Sequence, residues 1–93
     1  MLYAAKCFWP GVSERRIRDT AAAAEADARG ASFAGALYLP GDELVLGLFE
    51  SASRVDVKRA SELAGMPCER VIECVWVTAR RPRDHSSGRG TDR

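Results

Sequence analysis

The sequence predicts an α+β domain whose four strands and two helices follow the order β-α-β-β-α-β. Short apolar segments of strand length recur along the chain, and two intervals between them carry helix caps and helical periodicity. The middle two strands are separated only by Pro40-Gly41-Asp42, a turn signal that is typical of hairpins. A chain of 93 residues provides one small domain of this kind.

The first strand and the first helix are predicted from their end signals. The strand spans Leu2 to Phe8 and ends before Pro10, which cannot donate to a ladder. Ser13 is the predicted N-cap of a helix that continues to about Arg29, with Gly30 as its stop. The helix presents a stripe of mostly small apolar side chains, which lets it lie close to a sheet. The stripe consists of Ile17, Ala21, Ala24 and Ala28.

The second and third strands form the predicted hairpin. Strand two spans Ala31 to Leu39, and strict alternation places Phe33, Leu37 and Leu39 on one of its faces. Strand three spans Glu43 to Glu50 and is apolar on both faces. A strand of this kind is typical of the middle of a sheet that is covered on each side.

The second helix and the last strand complete the pattern. Ser53 is the predicted N-cap, Asp56 closes a capping box, and Gly65 followed by Pro67 ends the helix. The apolar side of the helix consists of Val55, Ala60, Leu63 and Ala64. Strand four is predicted over residues 70–78.

This order of elements predicts the topology of the sheet. Right-handed crossovers place strands one and three in the centre of a four-stranded antiparallel sheet, with both helices on one face. The arrangement is the ferredoxin-like plait. Its uncovered face would expose more apolar surface than a monomer usually tolerates. We therefore expect a homodimer, in which two copies pack face to face as a dimeric α/β barrel.

Charge and composition argue against several classes of partner. A formal net charge of +1 provides no long-range attraction to nucleic acid or to an anionic membrane. No apolar run approaches the roughly 20 residues of a membrane span, and no secretory signal is visible, so we expect a cytoplasmic protein with reduced thiols. Residues 1–79 form the predicted domain, and residues 80–93 are predicted to be a disordered basic tail.

Two segments of the sequence resemble a known protein family. They are Phe49-Glu50-Ser51-Ala52-Ser53 and, after the second helix, Leu63-Ala64-Gly65-Met66-Pro67 with the Glu-bearing strand that follows. They are similar to the second half of the small nickel-responsive, dimeric ferredoxin-like proteins, a family otherwise labelled as a domain of unknown function. The resemblance covers about residues 2 to 78 and implies a shared fold and a shared dimer.

The resemblance does not extend to the metal ligands. It implies an acidic residue and a histidine on strand one, a histidine in helix two, and a histidine before the proline of the turn. At those positions this chain has Ala4, Lys6, Ser61 and Met66, and its lone histidine, His85, lies in the tail. We therefore expect neither a nickel site nor another cofactor.

Four residues are candidates for a ligand site. Lys6 and Glu73 interrupt the apolar alternation of two strands that neighbour each other in the plait. As a functional site they would be a buried acid–base pair with shifted pKa values, whereas the plainer interpretation is a cross-strand ion pair. Tyr38 and Trp76 are candidates for the wall of a pocket, although core packing is the commoner role of such rings.

The three cysteines have a weaker claim to chemistry. Cys7 and Cys74 lie on neighbouring predicted strands and would be a redox pair or soft-metal ligands, yet buried cysteine is usually a small hydrophobic residue. Cys68 follows Pro67 in a turn and is the predicted exposed thiol.

Two functions from different classes stay open. One is a non-enzymatic dimeric module that binds a small-molecule ligand or has a regulatory role. The other is a cofactor-free enzyme of the isomerase, cyclase or monooxygenase type, with its pocket between sheet and helices. The sequence favours the first, because it contains no convergent set of His, Asp and Ser. The second requires Lys6 and Glu73 to face one enclosed cavity with Tyr38 or Trp76.

Overall fold

A computed structural model describes residues 1–27 and 30–79 of the chain. Its elements are β1 (Leu2–Phe8), α1 (Glu14–Ala26), β2 (Ala31–Leu39), a 3-10 turn (Pro40–Asp42), β3 (Leu44–Ser51), α2 (Arg54–Leu63) and β4 (Cys68–Cys74). The strands form one antiparallel sheet in the order β2-β3-β1-β4. This is the ferredoxin-like plait, with β1 and β3 in the centre, so the predicted fold is confirmed.

The hydrophobic core lies between one face of the sheet and the two helices. Alternate residues of the central strands supply the sheet side, namely Tyr3, Ala5, Cys7, Val45 and Phe49. Both helices supply the other side, with Ile17 and Ala24 from α1 and Val57 and Ala60 from α2. Phe33 of β2 packs edge-on against Phe49, with the ring centroids 5.3 Å apart. The opposite face of the sheet carries no helix of the described residues, and we call it the open face.

A bulge in β2 changes which of its side chains contact the core. Phe33 and Tyr38 both lie opposite core residues of β3, because the register slips between Phe33 and Gly35. The φ of Gly35 is 139°, a conformation that favours glycine. The prediction from strict alternation is therefore wrong, since Leu37 and Leu39 lie on the open face and Phe33 does not.

Local hydrogen bonds define the helix starts. The Ser13 Oγ accepts from the Arg16 amide at 3.1 Å, and the Ser53 Oγ accepts from the Asp56 amide at 3.2 Å. Both predicted N-caps are thus confirmed. The reciprocal arm of the predicted capping box is wrong, because the Ser53 amide donates to the Ser51 Oγ at 3.1 Å.

Both helices differ from the prediction in extent or in buried face. α1 ends at Ala26, and the predicted helical residues Ala28 and Arg29 lie outside the described part of the chain. α2 buries Val57, Ala60 and Ser61. The buried Ser61 hydroxyl has a hydrogen-bond partner, because it donates to the Lys58 carbonyl at 2.8 Å. The predicted face is therefore wrong at Val55 and Leu63, which are both largely exposed.

β4 begins and ends earlier than the sequence predicts. It spans Cys68–Cys74, and its ladder with β1 stops where Cys74 pairs with Leu2. Three apolar residues that were predicted to continue the strand follow it instead as exposed chain, namely Val75, Trp76 and Val77. The predicted tail, residues 80–93, lies outside the described residues. No helix in the described part of the chain is long and apolar enough to cross a bilayer.

Candidate functional site

The structure separates Lys6 from Glu73. Glu73 pairs in register with Tyr3, whose side chain lies on the helix-covered face. Lys6 is three residues further along the same strand, so alternation places its side chain on the open face. Glu73 is also exposed. The buried acid–base pair and the cross-strand ion pair of Lys6 with Glu73 are therefore both wrong.

Lys6 pairs with Glu69 instead. The Lys6 Nζ lies 3.8 Å from the Glu69 Oε1, and both side chains remain partly exposed. A slip of register between Lys6 and Cys7 leaves Glu69 as an extra residue in β4, which brings it toward Lys6. Sequence alternation carries no signal for such a slip, so it could not identify Glu69 as the partner.

The two aromatic candidates lie far apart in the fold. Tyr38 is half-buried on the helix-covered face, where its hydroxyl donates to the Val12 carbonyl at 3.2 Å. This bond ties β2 to the loop before α1 and gives Tyr38 a structural role. Trp76 lies beyond β4 and is 74% exposed. Together with the separation of Lys6 from Glu73, these positions mean that the predicted pocket residues do not converge on one cavity.

The cysteines are also arranged differently from the prediction. Cys7 pairs in register with Cys68, whereas Cys74 lies opposite Leu2 on the open face. All three are free thiols, and Cys68 is half-buried rather than exposed. Burial, with smaller contributions from Cys68 and Glu69, raises the pKa of Cys7 to about 12. Cys7 is therefore a neutral thiol at pH 7 and packs as a small hydrophobic residue.

The positions that the family resemblance associates with metal ligands do not form one site. Ala4 and Lys6 lie on the open face, because they alternate with the core residues of β1. Ser61 and Met66 are buried on the other side of the sheet. Within residues 1–27 and 30–79, no group of three or more His, Cys, Asp or Glu residues is placed to hold a metal ion.

The open face is an apolar surface that extends over all four strands. Its large apolar members occupy adjacent register positions on all four strands, namely Leu2, Phe8, Leu37, Leu39, Leu44, Leu46, Leu48 and Ile72. All of them are half-buried or exposed in the single chain. Lys6 lies in the middle of this face, with Leu46 and Arg70 beside it on the neighbouring strands.

A groove runs between α2 and the outer edge of β4. It has a volume of about 370 Å³ and is lined by Arg54, Val55, Lys58, Glu69, Arg70 and Val71. A second depression shares Arg54 and Arg70 and continues the groove along β4 past Glu73. The Arg54 guanidinium lies over the Tyr3 ring, 6.0 Å from its centroid. We call this feature the β4 groove. The sequence alone does not indicate this groove, because Arg54 and Arg70 meet only through the packing of α2 on the sheet.

Comparisons with known proteins bear on the fold. Neither a family model nor a curated protein matches the chain. Among solved structures, the chain is similar to the crystal structure of SCO4226 from Streptomyces coelicolor A3(2), with a TM-score of 0.72 and 18% sequence identity. The similarity covers 84% of this chain and 100% of that chain. At this identity it shows a shared ferredoxin-like fold, and a fold alone does not transfer a function.

Proposed function

We propose that the protein is a cytoplasmic, non-enzymatic binding module that acts as a homodimer, with two copies packed through their open faces. The observation that carries this proposal is the apolar open face. Monomeric proteins rarely leave so continuous an apolar patch in water. Pairing two copies about a two-fold axis would remove both patches from water with one self-complementary interface.

The size of the open face supports a role for the chain that follows β4. Four strands about 4.8 Å apart and about seven residues at 3.3 Å each give a footprint of roughly 440 Å². A standard specific interface buries about 800 Å² per partner. Val75, Trp76 and Val77 are 75%, 74% and 82% exposed, and they adjoin this face at the end of β4. We propose that they supply much of the remaining contact area with the partner copy.

The charge on the open face is compatible with this interface. Lys6 has Glu69 as its own counterion within the same chain. Lys6 would therefore enter the interface as a paired charge, which costs far less than an unpaired one. Arg70 pairs in register with Lys6 on the edge strand β4 and would lie at the rim of the interface.

The positions of the candidate pocket residues favour a binding module over an enzyme. A cofactor-free enzyme was expected to use Lys6 and Glu73 in one cavity with Tyr38 or Trp76. Lys6 and Glu73 lie on opposite faces of the sheet. Tyr38 lies on the edge strand β2, and Trp76 lies beyond the end of β4 at the opposite edge. General acid–base catalysis requires its groups within hydrogen-bonding reach of one substrate, and these four residues, all within the described part of the chain, do not meet that requirement.

Light scattering after size exclusion tests the dimer at micromolar concentration. We expect the wild type to show twice the chain mass. Leu37→Asp, on the open face, should give a monomer, because the new carboxylate would be buried without a partner. Leu63→Asp is the matched control, since Leu63 is 67% exposed on α2 and Leu37 is 52% exposed. A wild type of single-chain mass that binds no hydrophobic dye would contradict the proposal.

We also propose that the chain shares the fold and the dimer of the nickel-responsive proteins that it resembles, but not their metal site. The dispersed positions of Ala4, Lys6, Ser61 and Met66 support the second part. Calorimetric titration with Ni²⁺ should detect no 1:1 binding tighter than about 10 μM. A tighter site that persists after deletion of residues 80–93 would contradict this proposal.

A further inference from the structure

We propose that the β4 groove binds an extended acidic peptide segment, which joins the sheet as an added strand beside β4. This inference rests on the proposed role as a binding module, but it does not rest on the dimer. The groove follows the outer edge of β4 next to α2, whereas the dimer is proposed to use the open face. Arg70 pairs in register with Lys6 and lies at the border that the two surfaces share.

The edge of β4 supplies unpaired backbone groups. β4 is the last strand in the sheet order and pairs on one side only, with β1. Alternate residues of an edge strand direct both their N–H and their C=O groups outward, where an added strand can pair with them. α2 runs beside this edge and forms the other wall of the groove. Addition of a strand to an exposed sheet edge is a recurring mode of peptide recognition, in which main-chain hydrogen bonds provide affinity and side-chain pockets provide specificity.

The charge of the groove selects an acidic ligand. Arg54 and Lys58 line it from α2, one helical turn apart, and Arg70 lines it from β4. Within residues 1–27 and 30–79, neither Arg54 nor Arg70 forms an ion pair. Glu69, a carboxylate in the same lining, is already paired with Lys6. Lys58 is paired with Glu62 at 3.6 Å, and Glu73 lies where the groove continues along β4. Arg54 and Arg70 are therefore the groove cations that have no counterion within the described residues, and guanidinium groups bind carboxylates in a fixed, bidentate geometry.

The apolar part of the lining indicates a peptide rather than a bare anion. Val55 is 65% exposed on α2 and lies in the groove together with Val71 of β4. A strand directs successive side chains to opposite sides, so acidic and apolar residues in alternation would meet different parts of the lining. β4 has seven residues, and the five from Arg70 to Cys74 follow the bulge at Glu69 and present a regular edge to the ligand. A small dicarboxylate would reach the cations but would use neither the valines nor the backbone edge.

Fluorescence anisotropy with the full chain tests the proposal. The probe is a labelled seven-residue peptide of alternating Glu and Val, measured at low salt. We expect saturable binding that weakens at least tenfold in the double variant Arg54→Ala/Arg70→Ala. The matched control is Arg15→Ala/Arg18→Ala, which removes the same charge from exposed positions of α1 and should change Kd less than twofold. Circular dichroism confirms that both double variants are folded.

Modified probes distinguish strand addition from simple charge attraction. Replacing the valines of the probe by proline removes backbone donors, and replacing the glutamates by lysine reverses the charge; both changes should abolish binding. Hydrogen exchange should slow at β4 amides and not at β2, the other edge strand. Equal binding of the lysine or proline peptide, displacement by equimolar glutarate or phosphate, or protection confined to β2 would overturn the proposal.

The dimer and the groove can fail independently. The Leu37→Asp variant should bind the acidic peptide with an unchanged Kd, whatever its oligomeric state. Loss of the peptide from a folded Leu37→Asp variant would contradict the assignment of the ligand to the β4 groove. A wild-type dimer that does not bind the peptide would refute the groove and leave the proposed dimer intact.

Discussion

Two double-mutant cycles test the position of Lys6 in the fold. One combines Lys6→Ala with Glu69→Ala, and the other combines Lys6→Ala with Glu73→Ala. We expect a coupling free energy of about 0.5 kcal/mol with Glu69, because the two side chains form a partly exposed ion pair. We expect a coupling near zero with Glu73, because the sheet separates the two side chains.

The expected magnitude follows from the geometry of the pair. Two unit charges 3.8 Å apart attract by about 1 kcal/mol at the dielectric constant of water and by about 4 kcal/mol at an effective value near 20. The side chains of Lys6 and Glu69 are 34% and 55% exposed, so the pair lies toward the weaker limit. Ordering two long side chains offsets part of the attraction, which leaves the range of about 0.2–1 kcal/mol measured for surface pairs.

Urea unfolding provides the free energies for both cycles. All variants are compared at one protein concentration, at which light scattering shows the same assembly state, because dissociation would add its own free energy. Salt at 0.5 M should reduce the Glu69 coupling. A coupling above 1 kcal/mol with Glu73, or a larger value with Glu73 than with Glu69, would refute the assignment of these residues to opposite faces.

Three further predictions concern the core, the pH dependence and the exposed tryptophan. Phe49→Ala should lower the free energy of unfolding by about 3–5 kcal/mol in urea, because Phe49 is fully buried, whereas Val55→Ala at its exposed position should change it by less than about 0.5 kcal/mol. Because the pKa of Cys7 is raised from 9.0 to about 12, the folded chain retains a thiol proton that the unfolded chain loses in this pH range. The free energy of unfolding should therefore fall as pH rises from 9 to about 12, by up to about 1.4 kcal/mol per pH unit. Cys7→Ala should reduce this slope in unfolding experiments. In a Trp9→Phe background, which leaves Trp76 as the one tryptophan of the sequence, emission should shift to the blue as concentration drives dimer formation, and the shift should be absent when Leu37→Asp is added. Identical spectra of a dimeric Trp9→Phe variant and its monomeric Leu37→Asp derivative would exclude Trp76 from the interface.

The order of elements could be predicted because its signals are local. The N-caps Ser13 and Ser53, the hairpin turn at Pro40 and the alternating apolar strands each depend on residues a few positions apart. The apolar character of both faces of β3 correctly predicted a central strand. The same two-sided apolar pattern of β3 predicted that the sheet face without helices is apolar.

The site could not be predicted in the same way, because its geometry depends on register and packing. A bulge at Gly35 moves Leu37 and Leu39 to the open face, and a second slip, in β4, brings Glu69 toward Lys6. The register of Tyr3 with Glu73 places Glu73 on the other face of the sheet. Each one-residue slip exchanges the faces of every residue beyond it, and alternation in the sequence does not record the slip.

The sequence by itself determined the order of the strands and helices, their caps and the presence of an unpaired apolar sheet face. The tertiary structure alone decided which side chains share a face, where β4 ends, and that Arg54 and Arg70 line one groove. The physical reason is the range of the interactions. Caps, turns and alternation act between near neighbours, whereas the groove exists only because α2 packs beside an edge strand that follows it in the chain.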